Sequence, residues 1–238
     1  MLRIENLTKS YKKGKPAVKG LSLHVEAGDI YGFIGHNGAG KTTTIRAVIG
    51  ALDFEEGDIF IDGHSIKDDP IYCKSVTAYI PDTPEPYEFL TGAQYLAFIG
   101  DIFGVDPVKR EELVEEYTRR FEIDNVLDNL ISSYSHGMKQ KLVVTSALIH
   151  SPKLLVLDEP FVGLDPKASH NLKQIMREKC EEGCAVFFST HVLDVAEKLC
   201  NKIAVIKNGE LHASGRMEDV IGSISLEEYF LEVIEDGE

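Results

Sequence analysis

Short runs of apolar and β-branched residues recur along the first part of the chain, and each run ends at glycine or polar residues. Residues 2–7 and 21–25 alternate apolar with polar side chains, and further runs lie at residues 29–34 and 58–61. The links between these runs are too short for helical crossovers, so this part of the chain predicts antiparallel strands. Residues 41–51, which directly follow a glycine-rich turn, predict a helix.

The spacing of apolar residues becomes helical between residues 91 and 150. Leu113, Tyr117 and Phe121 follow one another at intervals of four, and glutamate and arginine residues lie between them. This period predicts helices with one buried face and one solvated face. Because strand patterns are almost absent from this stretch, we expect an inserted helical lobe.

Three runs that are apolar at every position come next, with helical periodicity between them. The runs lie at residues 154–157, 185–188 and 203–206, and the helical segments lie at residues 167–179 and 192–199. Strands of this kind alternating with helices are typical of a parallel sheet that is covered on both faces. The pattern therefore predicts an α/β fold.

The last apolar pattern, at residues 226–234, predicts an amphipathic helix whose outer face is acidic. We expect this helix to dock on the chain's own surface, because binding to a membrane would favour a basic face. No apolar run approaches the roughly 18–20 residues that a membrane-spanning helix needs. The beginning of the chain also lacks the pattern of a secretory signal.

The chain has 238 residues, of which 43% are hydrophobic, and its formal net charge is −14. This apolar content is enough for a substantial core and excludes a disordered chain. The negative charge repels nucleic acids and anionic lipids, so we expect no nucleic-acid partner. Any anion that the protein binds must therefore be held by local geometry. The four cysteines do not have zinc-ligand spacing, and we expect reduced, buried thiols.

Residues 35–42 (GHNGAGKT) match the pattern G-x-x-x-x-G-K-[ST] between a predicted strand and a predicted helix. Glycines at these positions let successive backbone N–H groups surround phosphate oxygens, and the helix that follows adds its positive end. In this pattern Lys41 reaches the β- and γ-phosphates, and the Thr42 hydroxyl binds magnesium (Mg2+). We therefore expect a nucleoside triphosphate site that consists of Gly35, His36, Asn37, Gly38, Ala39, Gly40, Lys41, Thr42 and Thr43.

Two carboxylates follow the first of the continuous apolar runs. Asp158 and Glu159 come at the carboxyl end of this predicted strand, where ligands of open α/β sheets bind. Asp158 suits Mg2+, directly or through water, and Glu159 can face the water that attacks a γ-phosphate. Taken alone, the segment also fits a strand that ends in solvated acids. Asn201 and Lys202 lack the following aspartate of a guanine-binding N-K-x-D pattern, so guanine specificity has no support.

Residues 135–140 (SHGMKQ) complete a set of motifs that resembles the nucleotide-binding subunit of ATP-binding cassette (ABC) transporters. The family signature is L-S-G-G-Q, and here Tyr134 replaces the leucine and His136 replaces the first glycine. The resemblance covers nearly the whole chain and is greatest to the drug and antibiotic export (ABC-2 type) branch. It implies an α/β fold of the P-loop NTPase type, with a RecA-like parallel-sheet core, an N-terminal antiparallel β subdomain and an inserted α-helical subdomain.

This resemblance implies one ABC ATPase domain over residues 1–238. We expect the core with its antiparallel β subdomain at residues 1–81 and 151–215, the helical subdomain with the signature at 82–150, and C-terminal helices at 216–238. Residues 83–89 contain two prolines and two aromatic residues, and we expect them to belong to the surface that receives a membrane subunit.

The resemblance also implies roles for residues outside the phosphate-binding turn. Ser135 and Gly137 would close on the γ-phosphate of the ATP that a partner subunit holds, and Asp165 would cross the dimer interface. His191 would hold the γ-phosphate and the attacking water. Tyr11 would stack on adenine.

Asp82 stands where the family usually carries a glutamine, which binds Mg2+ and forms the hinge to the helical lobe. A carboxylate also binds Mg2+ through oxygen, although its side chain is shorter than that of glutamine. The implied metal ligands are Thr42, Asp82 and Asp158. The implied catalytic residues are Lys41, Glu159 and His191.

These features together imply an ATPase subunit that drives a separate integral membrane permease from the cytoplasmic face of the cell membrane. The subunit would act as a homodimer, or as a heterodimer with a second ABC ATPase. Export is favoured over import by the signature variant and by residues 226–230, which resemble the ending of export-type subunits. Homodimer and heterodimer both stay open at this point, as does the transported substrate.

Two alternative functions stay open beside transport. One is a soluble ABC ATPase that acts on ribosomes or DNA, which the single cassette and the acidic charge disfavour. The other is an ATP-sensing regulator that rarely hydrolyses ATP. Because Glu159 and His191 are both present, the sequence contains no sign of an inactive site.

Overall fold

The computed structural model describes residues 1–12 and 14–235. The strands in this part of the chain are β1 (Leu2–Lys12), β2 (Lys15–Val25), β3 (Ile30–Ile34), β4 (Glu56–Ile61), β5 (His64–Ser65), β6 (Thr77–Ile80), β7 (Leu154–Asp158), β8 (Ala185–Thr190), β9 (Lys202–Lys207) and β10 (Glu210–Arg216). The helices are α1 (Lys41–Val48), α2 (Pro70–Ser75), α3 (Gly92–Ile102), α4 (Pro107–Phe121), α5 (His136–Leu148), α6 (Pro166–Glu181), α7 (Leu193–Leu199), α8 (Met217–Ile221) and α9 (Leu226–Glu235). Two 3-10 turns lie at Asp124–Val126 and Ile131–Ser133.

The strands form two sheets. The smaller sheet is antiparallel, with the strand order β2-β1-β4-β5. The larger sheet has the order β10-β9-β3-β8-β7-β6, in which β9, β3, β8, β7 and β6 are parallel and β10 is an antiparallel edge strand. The predicted α/β fold with a parallel sheet is therefore confirmed.

The expectation that residues 29–34 form an antiparallel strand is wrong. The strand β3 lies inside the larger sheet, parallel to both β8 and β9. The link from β2 to β3 is short, but it carries the chain from one sheet to the other. The partners of β3 come more than a hundred residues later, so the length of the preceding link says nothing about them.

Alternate residues of the parallel strands face two different cores, which explains why these strands are apolar at every position. On β3, Ile30 and Ile34 pack into a core that is shared with α3, α4, α5 and α6. Tyr31 and Phe33 pack on the opposite face, against α1 and the antiparallel sheet. The two cores hold the end of β3 rigidly between them.

The predicted helices between residues 91 and 150 are present as α3, α4 and α5. Leu113, Tyr117 and Phe121 are buried on one face of α4, as the spacing predicted. Helix α4 begins where the Asp106 carboxylate accepts hydrogen bonds from backbone N–H groups of the first turn. Helix α3 begins at Thr91, whose side chain takes part in a capping box with Gln94.

Helix α1 is shorter than the predicted range of residues 41–51. It ends at Val48, because Gly50 adopts a left-handed conformation with φ of 65° and its N–H donates to the carbonyl oxygen of Ala47. The next N–H, of Ala51, donates to the carbonyl oxygen of Arg46, which completes a Schellman ending. The expected glycine-rich turn thus lies before a helix of only two turns.

Helix α9 confirms the amphipathic helix predicted at residues 226–234, and it packs against α7 with Leu226 and Val233 buried.

All four cysteines, Cys73, Cys180, Cys184 and Cys200, are buried and free, as expected. None of the helices in the described part of the chain combines the length and the apolarity that a bilayer-spanning segment requires.

Candidate nucleotide-binding site

The phosphate-binding turn lies between the end of β3 at Ile34 and the start of α1 at Lys41. Gly40 has a φ of 111°, and a Cβ atom there would lie 2.6 Å from the carbonyl oxygen of Ala17. A Cβ atom at Gly35 would lie 2.6 Å from the carbonyl oxygen of Ile206. The turn is therefore pressed against neighbouring backbone, and glycine is the residue that fits at both positions.

Hydrogen bonds within the turn fix its shape. The Ala39 N–H donates to the carbonyl oxygen of His36 over 3.1 Å, and the Ala39 carbonyl oxygen accepts from Gly209 over 2.9 Å. Asn37 and Gly38 are exposed at the tip. The turn thus presents its tip to solvent while both of its ends are anchored in the core.

The side chain of Lys41 is held over the turn by a hydrogen bond to the backbone of the turn. Its Nζ donates to the carbonyl oxygen of Gly35 over 2.6 Å and lies 3.7 Å from Oε1 of Glu159. Burial lowers the pKa of Lys41, and the carboxylates of Glu159 and Asp158 oppose that shift. An anion that enters the turn would meet an ammonium group that is already positioned.

The first turn of α1 brings two more predicted residues to the site. Thr42 is exposed next to Lys41, so its hydroxyl is accessible to a ligand, whereas Thr43 is buried. The Tyr11 hydroxyl lies 3.3 Å from Oγ1 of Thr43, and the Tyr11 side chain is 60% exposed. An exposed aromatic ring therefore lies beside the phosphate-binding turn, where a planar base could stack on it.

The carboxylates at the end of β7 are held by Ser189 of the neighbouring strand β8. The Ser189 hydroxyl donates to Oδ1 of Asp158 over 2.5 Å and accepts from the N–H of Glu159 over 3.1 Å. Asp158 is buried, and Glu159 has a left-handed backbone with φ of 47°. This uncommon conformation at a non-glycine residue is typical of functional sites.

The Glu159 side chain lies between two cationic or polar partners. Its Oε1 is 2.9 Å from Nδ1 of His191 and 3.7 Å from Nζ of Lys41. The His191 side chain is half exposed, whereas that of Glu159 is only 15% exposed. The structure thus brings together the three residues that were predicted to be catalytic.

Asp82 follows β6, the edge strand that pairs with β7. It is exposed, and its Oδ1 accepts a hydrogen bond from the N–H of Thr83 over 2.8 Å. Burial raises the pKa of Tyr79 on β6 to about 12, and the charges of Asp158 and Asp82 add to this effect. The negative charges of Asp158 and Asp82 therefore both raise the pKa of the same residue, Tyr79.

The oxygen atoms of Thr42, Asp158 and Asp82 are of the kind that Mg2+ prefers. Among residues 1–12 and 14–235, no three His, Cys, Asp or Glu side chains are grouped closely enough to hold a metal ion by themselves. Mg2+ in nucleotide sites is usually held by one or two carboxylates together with phosphate oxygens, so the residues present fit this ion.

Ser135, Gly137 and Asp165 form a second group, apart from the phosphate-binding turn. Ser135 is the N-cap of α5, and its Oγ accepts from the N–H of Met138 over 3.3 Å. Asp165 is the N-cap of α6, and its Oδ1 accepts from the N–H of Ala168 over 2.8 Å. In the described chain their hydrogen bonds run to α5 and α6 rather than to residues 35–43.

Ser189 was missed as a site residue in the sequence, although its contacts hold both carboxylates. It lies opposite Asp158 in the parallel pairing of β7 and β8. Two buried strands that both end in polar residues are a signal that could have indicated this contact. Lys141, which lies 2.7 Å from Oδ2 of Asp165, was also missed.

A model of the family described as "ABC transporter" matches residues 18–162. The ABC-type transporter ATP-binding protein EcsA of Bacillus subtilis (strain 168) is 34% identical, over 99% of this chain and 97% of that protein.

The chain belongs to the ABC transporter family.

Other members extend the likeness. The linearmycin resistance ATP-binding protein LnrL of Bacillus subtilis (strain 168) is 32% identical, over 92% of this chain and 70% of that protein. A solved structure described as the ATP binding subunit of an ABC transporter is 33% identical and superposes with a TM-score of 0.94, over 98% of this chain and 99% of that one.

Membership in the ABC transporter family confirms the resemblance and the fold class that the motifs implied. A dimeric ATP-binding cassette in a post-hydrolysis state with ADP and phosphate has the same fold, with a TM-score of 0.81 at 22% identity. The chain is thus an ABC ATPase subunit, as expected.

Proposed function

We propose that this ABC ATPase subunit binds ATP with Mg2+ in the turn of residues 35–43 and hydrolyses it to drive a separate integral membrane permease. The observation that carries this proposal is the position of the Glu159 carboxylate. It lies beside a phosphate-binding turn, 3.7 Å from Lys41 Nζ and 2.9 Å from His191 Nδ1. A carboxylate in this place can take a proton from water that attacks a γ-phosphate.

Different residues of the site have different roles in ATP hydrolysis. Lys41 and the N–H groups of the turn stabilise the negative charge that develops on the phosphate. Glu159 accepts the proton of the attacking water, and His191 orients that water and the carboxylate. Mg2+, held by Thr42 and Asp158 with Asp82 nearby, would supply further neutralisation of phosphate charge.

The second group of residues supports a dimer with ATP at its interface. Ser135 and Gly137 lie at the exposed start of α5, where a helix N-terminus attracts anions. They would complete the site of a facing subunit, and the turn of Asp165 would lie at the dimer interface. Tyr11 would stack on the adenine of the ATP bound to its own chain. The facing subunit would be a second copy of this chain or a related ABC ATPase.

A cluster of exposed aromatic residues supports a membrane partner. Phe89 is 76% exposed, and its ring lies 5.8 Å from that of Tyr87, which in turn lies 5.6 Å from Phe98. A cavity of about 800 Å³ is lined by residues of α1, β6, α3 and α5 and also by Asp82 and His150. It reaches the cluster through Tyr95, a lining residue whose ring lies 6.2 Å from that of Tyr87. Exposed apolar patches of this kind are typical of protein interfaces, and we assign this one to the permease.

Glu159→Gln tests the ATPase. Glutamine has the same size but cannot accept the proton, so turnover should fall at least about a hundredfold while ATP-dependent dimers persist. Steady-state phosphate release and size-exclusion chromatography with ATP measure the two properties. Glu181→Gln, an exposed change on α6, is the matched control. Unchanged hydrolysis in Glu159→Gln would remove the proposed base.

Purification from native membranes tests the transport role. We expect the wild-type subunit to co-purify with a polytopic membrane protein, and we expect Phe89→Ser to weaken that association without changing basal hydrolysis. Co-purification with ribosomes or DNA instead would favour the soluble ABC ATPases. A turnover near zero in the wild type would favour the ATP-sensing regulator.

The name of the relative LnrL, a resistance protein, supports export as the direction of transport.

A further inference from the structure

The start of α5 and the turn before α6 are packed against each other within one chain. A Cβ atom at Gly163 would lie 2.7 Å from Cδ2 of the His136 ring. A Cβ atom at Gly137 would lie 3.1 Å from the carbonyl oxygen of Gly163. His136, which replaces a glycine of the family signature, therefore fills the space above the turn at Gly163.

Lys141 adds a charged contact one turn further along α5. Its Nζ lies 2.7 Å from Oδ2 of Asp165, and its side chain is only 14% exposed. This contact with Lys141 is the largest cause that lowers the pKa of Asp165. The other oxygen, Oδ1, accepts from the N–H of Ala168 and caps α6. One carboxylate oxygen of Asp165 thus contacts α5, and the other caps α6.

The same turn is continuous with Glu159. The N–H of Val162 donates to the carbonyl oxygen of Glu159 over 3.1 Å, and the N–H of Leu164 donates to that of Phe161 over 3.4 Å. The Phe161 ring packs edge-on against Phe188 of the core, with 6.0 Å between the ring centroids. These contacts connect the turn that ends at Asp165 to the backbone that carries Glu159.

We propose that Lys141 is a positioning residue that couples the two ATP sites of the dimer. Through its ion pair with Asp165, it ties the Ser135–Gly137 end of α5 to the turn that carries Glu159. Ser135 and Gly137 contact the ATP of the facing subunit, whereas Glu159 acts on the ATP of its own chain. Occupation of one site then orients the base of the other. This inference rests on the proposed function.

The test is a double-substitution cycle on Lys141→Gln and Asp165→Asn. Asparagine keeps the oxygen that caps α6, so Asp165→Asn removes the ion pair and leaves the cap. Each change should lower kcat about 10- to 100-fold, because small displacements of a reacting group cost this much, and should leave KM within about twofold. The double variant should be no worse than either single variant, and the Hill coefficient for ATP should fall to about one in all three.

Lys141→Arg preserves the charge and should retain most of kcat and the cooperativity. Lys179→Gln is the matched control, because Lys179 is 15% exposed and also forms an ion pair at 2.7 Å, with Glu182, the residue that follows α6. It should leave kcat and the Hill coefficient unchanged. Should Lys141→Gln unfold, Asp165→Asn and Lys141→Arg carry the comparison.

Additive losses in the double variant, or normal cooperativity in Asp165→Asn, would overturn the role of Lys141. Either result leaves the ATPase proposal intact, because that proposal depends on the loss of turnover in Glu159→Gln. Wild-type turnover in Glu159→Gln would instead overturn the proposed function. The two failures are therefore distinguishable.

Discussion

His150 predicts a measurable dependence of stability on pH. It follows α5 and lines the cavity beside the aromatic cluster, and its ring stacks on Phe103 with 3.8 Å between the centroids. Burial lowers the pKa of His150 from 6.5 to about 4, and the backbone of Thr77 and Ser146 offsets only part of this effect. The folded protein therefore keeps this histidine neutral at pH values where the unfolded chain protonates it.

The sign and the magnitude follow from this difference in pKa. As the pH falls below 6.5, the ordinary pKa of histidine, His150 becomes protonated in the unfolded chain. In the folded protein it stays neutral until about pH 4. The free energy of unfolding falls throughout this window, by about 3 kcal/mol in total. Between about pH 8 and about pH 5, the loss due to His150 is about 2 kcal/mol.

Urea unfolding of the wild type and of His150→Phe at both pH values measures this contribution. Phenylalanine keeps a ring against Phe103 but does not titrate, so the variant should lose about 2 kcal/mol less than the wild type between the two conditions. His170→Phe, at an exposed position on α6, is the matched control and should lose as much as the wild type. Equal losses in His150→Phe and the wild type would refute the reasoning.

Two further predictions concern the phosphate-binding turn and the helical lobe. Gly40→Ala should weaken binding of a fluorescent ATP analogue at least about tenfold, because its Cβ meets backbone at 2.6 Å; Gly63→Ala, also at positive φ but with no atom within 4 Å, should bind normally. Equal affinities would contradict this assignment. Phe121→Ala, at a side chain that is 1% exposed, should cost about 3–5 kcal/mol in urea unfolding. Leu130→Ala, at a side chain 51% exposed, should cost less than about 0.5 kcal/mol, and a similar cost for both would contradict the packing.

Most of the parallel sheet could be predicted because burial on both faces produces a continuous apolar run in the sequence of each strand. Residues 154–157 of β7, 185–188 of β8 and 203–206 of β9 are all apolar, and runs of this short length are typical of buried strands. Strand β10 escaped prediction because it alternates exposed and half-buried residues at the edge of the sheet. Strand β6 escaped prediction because its four residues begin with Thr77 and therefore contain no continuous apolar run of four.

The candidate site divides in the same way. The phosphate-binding turn is contiguous in sequence, so its composition indicates its chemistry. The contacts of Ser189 depend on the register of β7 against β8, and the pairing of Lys141 with Asp165 depends on how α5 packs on the turn before α6. Such contacts join residues 24 or more positions apart, and the hydrophobic pattern does not encode them.

The burial of the cysteines makes the native protein suitable for selective dye labelling. Burial raises the pKa of Cys180 to about 12 and that of Cys184 to about 11, and it also raises the pKa of Cys73 and Cys200. Maleimides react with the thiolate, which these four sulfurs rarely form. A cysteine introduced at Val108, which is 68% exposed, would therefore take up a fluorophore alone. Energy transfer between two labelled copies could then report their approach in real time, with every native thiol left in place.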